Sequence, residues 1–371
     1  MNYLPRISRR TFLAGSASIG AIAAMHPFAT LAQSNQAHLR LLQTTDLHVA
    51  VFPYDYYADA PNDTMGLART ASIIEAIRAE AGNSMLLDNG DIIQGNPMGD
   101  YIAYEKGLED NVHPIIAAMN TLGYEASTLG NHEFNYGLDY LDKALSGAEF
   151  PFVSANLARG DLGATPLDDT TYVDPYMIVE KTLVDGSGAE RTIRIGIIGF
   201  LPPQIMTWDA THLTGKVNTR DIVETATAYI PKMRAEGADL IVALSHSGIA
   251  ADQGAGAENA ALQLAGIDGV DVVLTGHQHL VFPGTDHEGI EGVDTKAGTL
   301  HGKPAVMPGF WGSHMGLIDL LLEQDAAGKW TIASHTSEAR PISERVDGKV
   351  KPLVANEAEV AAAAEADHAE T

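Results

Sequence analysis

Cysteine is absent from all 371 residues, and with it go disulfide scaffolds, thiolate zinc sites, iron–sulfur ligation and cysteine nucleophiles. Any metal must rest on His, Asp, Glu or Asn. Positive charge is scarce: 23 Lys and Arg stand against 48 Asp and Glu, a formal charge of −25. That balance disfavours binding to a phosphate backbone, so no nucleic-acid polymer is expected as a partner. A membrane span needs about 20 apolar residues, and the N-terminal apolar stretch, Phe12 to about Met25, is short for one. What the chain does have is 45% hydrophobic residues and 36 Gly, enough for the packed core of one large domain or two ordinary ones. Disorder across the whole chain is excluded.

The N-terminus carries Ser8-Arg9-Arg10-Thr11-Phe12-Leu13, then the short apolar stretch, then Thr30-Leu31-Ala32. A basic start, a short apolar run and a small-residue cleavage site make residues 1–32 a Tat-type export signal, with a chance Arg pair before an apolar helix as the alternative. Cleavage near Ala32 would remove three Arg and no acid, leaving 20 basic against 48 acidic residues. The expected destination is the periplasm, with no membrane association after cleavage.

Along the rest of the chain, apolar β-rich runs end in polar residues. His38–Thr45 leads into Asp46-Leu47-His48, Ser84–Leu87 into Asp88-Asn89-Gly90-Asp91, and Ala126–Leu129 into Gly130-Asn131-His132-Glu133. Leu240–Leu244 leads into Ser245-His246-Ser247, and Val270–Leu274 into Thr275-Gly276-His277-Gln278-His279. Helical spacing recurs between them, at Ala68–Ala81 and Asp221–Glu236. Strands alternating with helices predict an α/β fold whose active site gathers at the carboxyl ends of the strands. Tyr176–Leu183 and Arg191–Phe200 flank Asp185-Gly186-Ser187-Gly188, a hairpin turn belonging to another layer. After Val346 the texture becomes Ala- and Glu-rich. Asn356, with Glu359 three residues on, could cap a helix running to Thr371. Such a helix has almost no apolar face, so residues 346–371 read either as a linker toward a further C-terminal domain or as a frayed, solvated tail.

The chemistry lies in the five strand ends. They supply three carboxylate or amide oxygens, Asp46, Asp91 and Asn131, and four imidazoles, His48, His246, His277 and His279. Seven ligands exceed one tetrahedral zinc and suit two adjacent ions sharing a carboxylate. Alternation at a strand terminus would turn Asp46 and His48, and likewise His277 and His279, to one side. Gly90 lets the backbone before Asp91 approach the centre. A lone His at a strand end is more often capped or solvated than ligating, but five of the 14 His fall in these motifs. His113, His212, His287 and His335 are left as solvated or structural, and Asp88 as a capping or hydrogen-bonding residue. His132-Glu133 is followed by Tyr136 where a zincin helix would need its second His.

Asp46-x-His48, Gly90-Asp91-x-x-Gln94-Gly95, Gly130-Asn131-His132-Glu133, Ser245-His246-Ser247-Gly248 and Gly276-His277-x-His279 resemble, in order, the motifs of the calcineurin-like metallophosphoesterases. The likeness covers nearly all of His38 to Arg345. Asp55-Tyr56-Tyr57, the run Phe134-Asn135-Tyr136-Gly137, Pro202-Pro203-Gln204-Ile205-Met206 and Pro308-Gly309-Phe310-Trp311-Gly312 are similar to the nucleotidase branch, in particular to bifunctional 2′,3′-cyclic-nucleotide 2′-phosphodiesterase/3′-nucleotidases. The resemblance implies a four-layer α/β/β/α sandwich in residues 38–345, and two divalent ions of zinc, manganese or iron. It places Asp46, His48 and His279 on one ion, Asn131, His246 and His277 on the other, and Asp91 between them, with a two-metal-activated hydroxide attacking phosphorus. His132 would face the phosphate as general acid.

Relatives acting on 5′-nucleotides carry Asp three residues after that His, whereas this chain has Asn135. Stabilisation of the ring would then come from the phosphate or from a nearby carboxylate such as Asp139. The expected substrates are 2′,3′-cyclic nucleotides and 3′-nucleotides, bound by a monomer. A 5′-nucleotidase or sulfate-ester-type hydrolase of the same architecture, or a non-enzymatic metal- or nucleotide-binding protein, are the competing expectations. Family members continue into a second domain that sandwiches the nucleobase, so weak discrimination between nucleotides is expected of this chain.

Overall fold

The computed structural model describes residues 35–109 and 111–371, and the expected signal segment 1–32 lies outside them. Strands β1 (Gln36–Thr44), β2 (Ser84–Asp88), β3 (Ala126–Thr128) and β4 (Phe152–Val153) lie parallel in one sheet. The chain then forms the expected hairpin, β5 (Tyr176–Val184) and β6 (Glu190–Phe200), turned over Asp185–Gly188. It begins a second sheet, in which β6, β7 (Leu240–Ser245), β8 (Val272–Thr275) and β9 (Lys303–Pro308) are parallel. β10 (His314–Gln324) and β11 (Trp330–Pro341) return to the first sheet, with β10 antiparallel to β1. The sheets have six and eight strands, in the orders β11-β10-β1-β2-β3-β4 and, beyond two short edge strands, β9-β8-β7-β6-β5, with the two-residue strand Val281–Phe282 pairing off this path with β9.

Two-residue periodicity sets the layers. In β1, Leu39 and Leu41 face the second sheet while Leu42 faces helices, and in β6 Ile193, Ile195 and Ile197 face the first sheet while Ile198 and Phe200 face outward. Helices α1 (Leu67–Glu80), α2 (Pro114–Leu122) and α3 (Leu138–Ser146) cover the first sheet, and α4 (Ile222–Ala235) and α5 (Ala261–Ala265) cover the second. Leu67, Ala71, Ile74 and Ile77 form the buried stripe of α1 at helical spacing. Asp221 caps α4 by accepting from the Glu224 N–H at 2.7 Å. The result is the α/β/β/α sandwich. Side chains staple the sheets at their carboxyl ends, where Gln43 Nε2 donates to Thr275 O at 2.8 Å and Asn89 Nδ2 to Ser245 O at 2.9 Å.

The C-terminal segment is not the single unpartnered helix expected from Asn356 to Thr371. The boundary near Val346 falls inside a hairpin, Ser343–Val346 with Lys349–Pro352. Two short helices follow, Ala358–Ala362 and Glu365–Glu370. The first is preceded by Glu357, and neither Asn356 nor Glu357 caps it with a side chain. Val360 and Ala364 are buried in the layer that covers the first sheet. His368 stacks on Phe52, ring centres 4.3 Å apart, and its Nδ1 lies 2.6 Å from Tyr56 Oη. Lys106 Nζ reaches Asp367 and Glu370, each at 2.7 Å. Burying one Val side chain is worth about 1.5–3 kcal/mol. An apolar footing of two residues four apart is hard to see in an alanine-rich run, yet it docks the segment. No helix among the described residues is long and apolar enough to cross a membrane.

His113, left open by the sequence, is wholly buried before α2, and neither ring nitrogen has a partner. Burial pushes it down to about 3. The folded state therefore stays unprotonated while the unfolded chain takes up a proton below about pH 6.5, so this contribution is intact above 6.5 and is lost as pH falls from there toward 3. His113→Leu should remove it. Between pH 7 and pH 5, urea unfolding should show wild type losing about 2 kcal/mol more than the variant, and identical pH profiles would refute the assignment.

Candidate metal centre

All seven candidate ligands lie beyond the carboxyl ends of β1, β2, β3, β7 and β8, where the sheets meet. Strand alternation, expected to orient Asp46/His48 and His277/His279, does not do so, because these residues sit in loops past the strands. Asp46, His48, Asp91, His277 and His279 all have positive φ, between 46° and 70°. A non-glycine residue in that region costs on the order of 1 kcal/mol and persists only where its surroundings impose it. Here the loops impose it on one another. Asp46 N donates to Gly90 O and His48 N to Asp91 O, both at 2.9 Å, and Trp311 N donates to Asp46 O at 2.8 Å. Gly90 plays its expected part: a Cβ there would lie 2.6 Å from Gly130 N.

Each buried carboxylate commits one oxygen to the scaffold and leaves the other for the centre. Asp46 Oδ2 accepts from Thr45 Oγ1 at 2.6 Å and from His277 N at 3.1 Å, while its Oδ1 has no hydrogen-bond partner. Asp91 Oδ1 accepts from His132 N at 2.7 Å, and its Oδ2 lies 3.0 Å from His246 Nε2. That approach has no hydrogen-bonding geometry, so His246 Nε2 is also unpartnered, as is the buried Asn131 Oδ1. The rings are oriented from behind. His48 Nδ1 donates to Gln94 O and His246 Nδ1 to Asn89 O, both at 2.7 Å, which leaves each Nε2 as the unprotonated nitrogen of the neutral ring. His48 Nε2 and His279 Nε2 face each other at 2.9 Å.

Two groups result, Asp46 with His48 and His279, and Asp91 with His246 and His277, the ligand atoms of each lying within 4.8 Å of one another. A third such group, His48, Asp91 and His132, bridges them. Bare ring nitrogens and unpartnered oxygens converging in a buried space fit metal ions.

The electrostatics agree. Burial would raise Asp46 and Asp91, but the surrounding imidazoles, His246 first, hold both below the usual carboxylate range. Burial would lower His246, but the Asp91 and Asp46 carboxylates outweigh it and bring it up to about 10. Burial lowers His48 to about 4. Two buried carboxylates thus demand positive charge at this point.

Several contributors had no signal in the sequence. Glu133, inside a recognised motif but without a role there, is fully buried and accepts from the N–H groups of Asp91 at 2.8 Å, Ile92 at 2.7 Å and Gly130 at 2.5 Å, tying the second loop to the third. Glu258 Oε1 lies 2.7 Å from His277 Nε2. Trp208 stacks on His277 and Phe310 on His279, ring centres 5.9 and 4.6 Å apart. Asp88 is a scaffold residue, accepting from Thr44, Ser127 and Gly90. His132 stands beside His48, ring centres 5.0 Å apart, with its Nδ1 2.6 Å from Asn135 Oδ1. Asp139 is exposed, in the first turn of α3, and has no part in this contact.

Comparison with known proteins places these features in a family. The sequence profile of the calcineurin-like phosphoesterases matches residues 39–281. The 2′,3′-cyclic-nucleotide 2′-phosphodiesterase/3′-nucleotidase of Salmonella typhimurium is 49% identical over 89% of this chain and 50% of its own length. The protein of the same name from Yersinia enterocolitica is 48% identical over 91% and 50%. The chain thus spans about half the length of these curated relatives. The crystal structure of the calcineurin-like phosphoesterase YfkN from Bacillus subtilis superposes with a TM-score of 0.81 at 43% identity, covering 90% of this chain and 98% of that one. With the profile, the sandwich and the Asp/His groups at its strand ends in agreement, the chain belongs to the calcineurin-like phosphoesterase family.

Proposed function

We propose that this chain hydrolyses 2′,3′-cyclic nucleotides to 3′-nucleotides, and 3′-nucleotides to nucleoside and phosphate. The observation that supports the reaction class is the pair of Asp/His groups bridged by the third group of His48, Asp91 and His132, with buried, unpartnered atoms on Asp46, Asn131 and His246. The substrate class rests on the names of the relatives that are 48–49% identical.

In this reading Asp46, His48 and His279 would hold one divalent ion, Asn131, His246 and His277 a second, and Asp91 would touch both; zinc, manganese and iron all suit such a donor set. When bound, the ions supply charge neutralisation at the phosphoryl oxygens and a lowered pKa for the attacking water. The chain's own residues do the rest. Gln94 O and Asn89 O hold the ligand rings in one tautomer, and Glu133 fixes the loops that carry Asp91 and Asn131. His132 keeps Nδ1 engaged with Asn135, so its Nε2 is the atom that can protonate the departing ribose oxygen as the P–O bond breaks. In the first reaction the P–O2′ bond breaks and O2′ takes the proton. In the second, P–O3′ breaks and nucleoside departs.

Metal analysis with turnover of 2′,3′-cyclic AMP, 3′-AMP and 5′-AMP by the purified chain tests this. Cyclic AMP should pass through 3′-AMP to adenosine and phosphate. Preferential hydrolysis of 5′-AMP, or metal binding without turnover of any phosphoester, would displace the reading.

The same reading places a monomer in the periplasm, exported by the Arg9-Arg10 signal. Changing both Arg to Lys should leave the precursor in the cytoplasm with its N-terminal segment attached. Undiminished delivery would make the segment an ordinary Sec signal.

A further inference from the structure

The carboxylate that the sequence could not find beside His132 comes from another part of the chain. Asn135 Nδ2 donates to Asp209 Oδ1 at 3.0 Å, while Asn135 Oδ1 faces His132 Nδ1 at 2.6 Å. Asp209 lies between the short helices Ile205–Trp208 and Ala210–Leu213. Its N–H donates to Ile205 O at 2.9 Å, and its carbonyl accepts from His212 N at 2.9 Å and Leu213 N at 3.0 Å. Only 7% of Asp209 is exposed, and its Oδ2 is buried without a partner. From this the geometry points to Asp209 as a positioning residue for His132, acting through the side-chain amide of Asn135; the inference rests on the proposed role of His132 and deepens it.

Hydrogen-bond polarity fixes which way the amide faces. An amide can present either its oxygen or its nitrogen to the imidazole, and the two choices select opposite tautomers. Were Asn135 turned over, its oxygen would oppose the Asp209 carboxylate, acceptor against acceptor. The carboxylate therefore fixes the amide, the amide oxygen takes the proton of His132 Nδ1, and Nε2 is left as the atom that works at the substrate. The same chain of bonds carries polarisation from a buried carboxylate toward the ring when the ring gains its second proton. Asn135 thus passes on a charge that it does not carry. Trp208, the preceding residue, packs on His277, so one short element braces both sides of the centre.

Three variants test this: Asp209→Asn, Asn135→Asp, and the two together. The pair exchanges carboxylate and amide, leaving one of each between the helix and His132. NMR of 15N-labelled imidazoles, with His132 assigned through His132→Asn, reads the tautomer without requiring turnover. Wild type should show neutral His132 protonated at Nδ1, and Asp209→Asn a mixture. With metal content and melting temperature unchanged, Asp209→Asn should lower kcat on 3′-AMP roughly tenfold or more and leave KM within about twofold. In the His132→Asn background the same change should have less than about a twofold effect. Asn135→Asp alone should also be impaired, by opposing two carboxylates, and the exchanged pair should recover to within about threefold of wild type.

An unaltered tautomer in Asp209→Asn overturns the inference. So does a loss that persists without His132, or an exchanged pair no better than either single variant. If wild type turns over no phosphoester, the proposed function fails and the tautomer still decides the positioning role.

Discussion

Asp91→Asn is expected to strip the centre of metal and activity more completely than any other single ligand change. Asp91 belongs to two of the three groups able to hold an ion, and its two oxygens do different work: Oδ1 accepts from His132 N, and Oδ2 faces His246. Asparagine keeps the shape and the first contact but removes a negative charge that both ions would share. The comparison is His246→Asn, which removes one ring from one group and leaves Asp46, His48 and His279 intact. Elemental analysis after gel filtration should give about two equivalents for wild type, about one for His246→Asn, and less than one for Asp91→Asn. Turnover of p-nitrophenyl phosphate should fall beyond the roughly 10²–10³-fold typical of losing one electrostatic contact in an active site. Two equivalents in every variant would remove Asp91 from the shared position.

The second large effect is expected without metal loss. His132→Asn should retain both equivalents yet lower kcat on 3′-AMP roughly 10²–10⁴-fold. The drop should be much smaller on p-nitrophenyl phosphate, whose leaving group needs no proton. The rival role has a geometric basis, since His132 lies within ligand distance of His48 and Asp91. It is answered by the same samples, because a variant that loses metal along with activity makes His132 a ligand.

Much of the centre could be read from the chain because its parts are local. Asp46 and His48, or His277 and His279, are separated by one residue at the end of an apolar run, and such short spacings survive in a one-dimensional text. The order of strands and helices, the Asp185–Gly188 turn and the helical stripe of α1 were legible for the same reason, each resting on a period of two or near four. Strand alternation does not reach past Thr44 or Thr275, and it is the left-handed backbone of the loops, held by bonds between loops, that turns the side chains inward.

By itself the sequence determined the α/β class, the ligand types, the absence of thiolate chemistry and the family motifs, since composition and near-neighbour spacing are sufficient for these. Only the tertiary structure decided which loops press on one another, which oxygens of Asp46 and Asp91 stay free, and that Val360 and Ala364 dock the C-terminal segment. It also replaced Asp139 by Asp209 behind His132, because a residue 74 positions from Asn135 is brought within 3.0 Å only by the packing of one short helix pair against the centre.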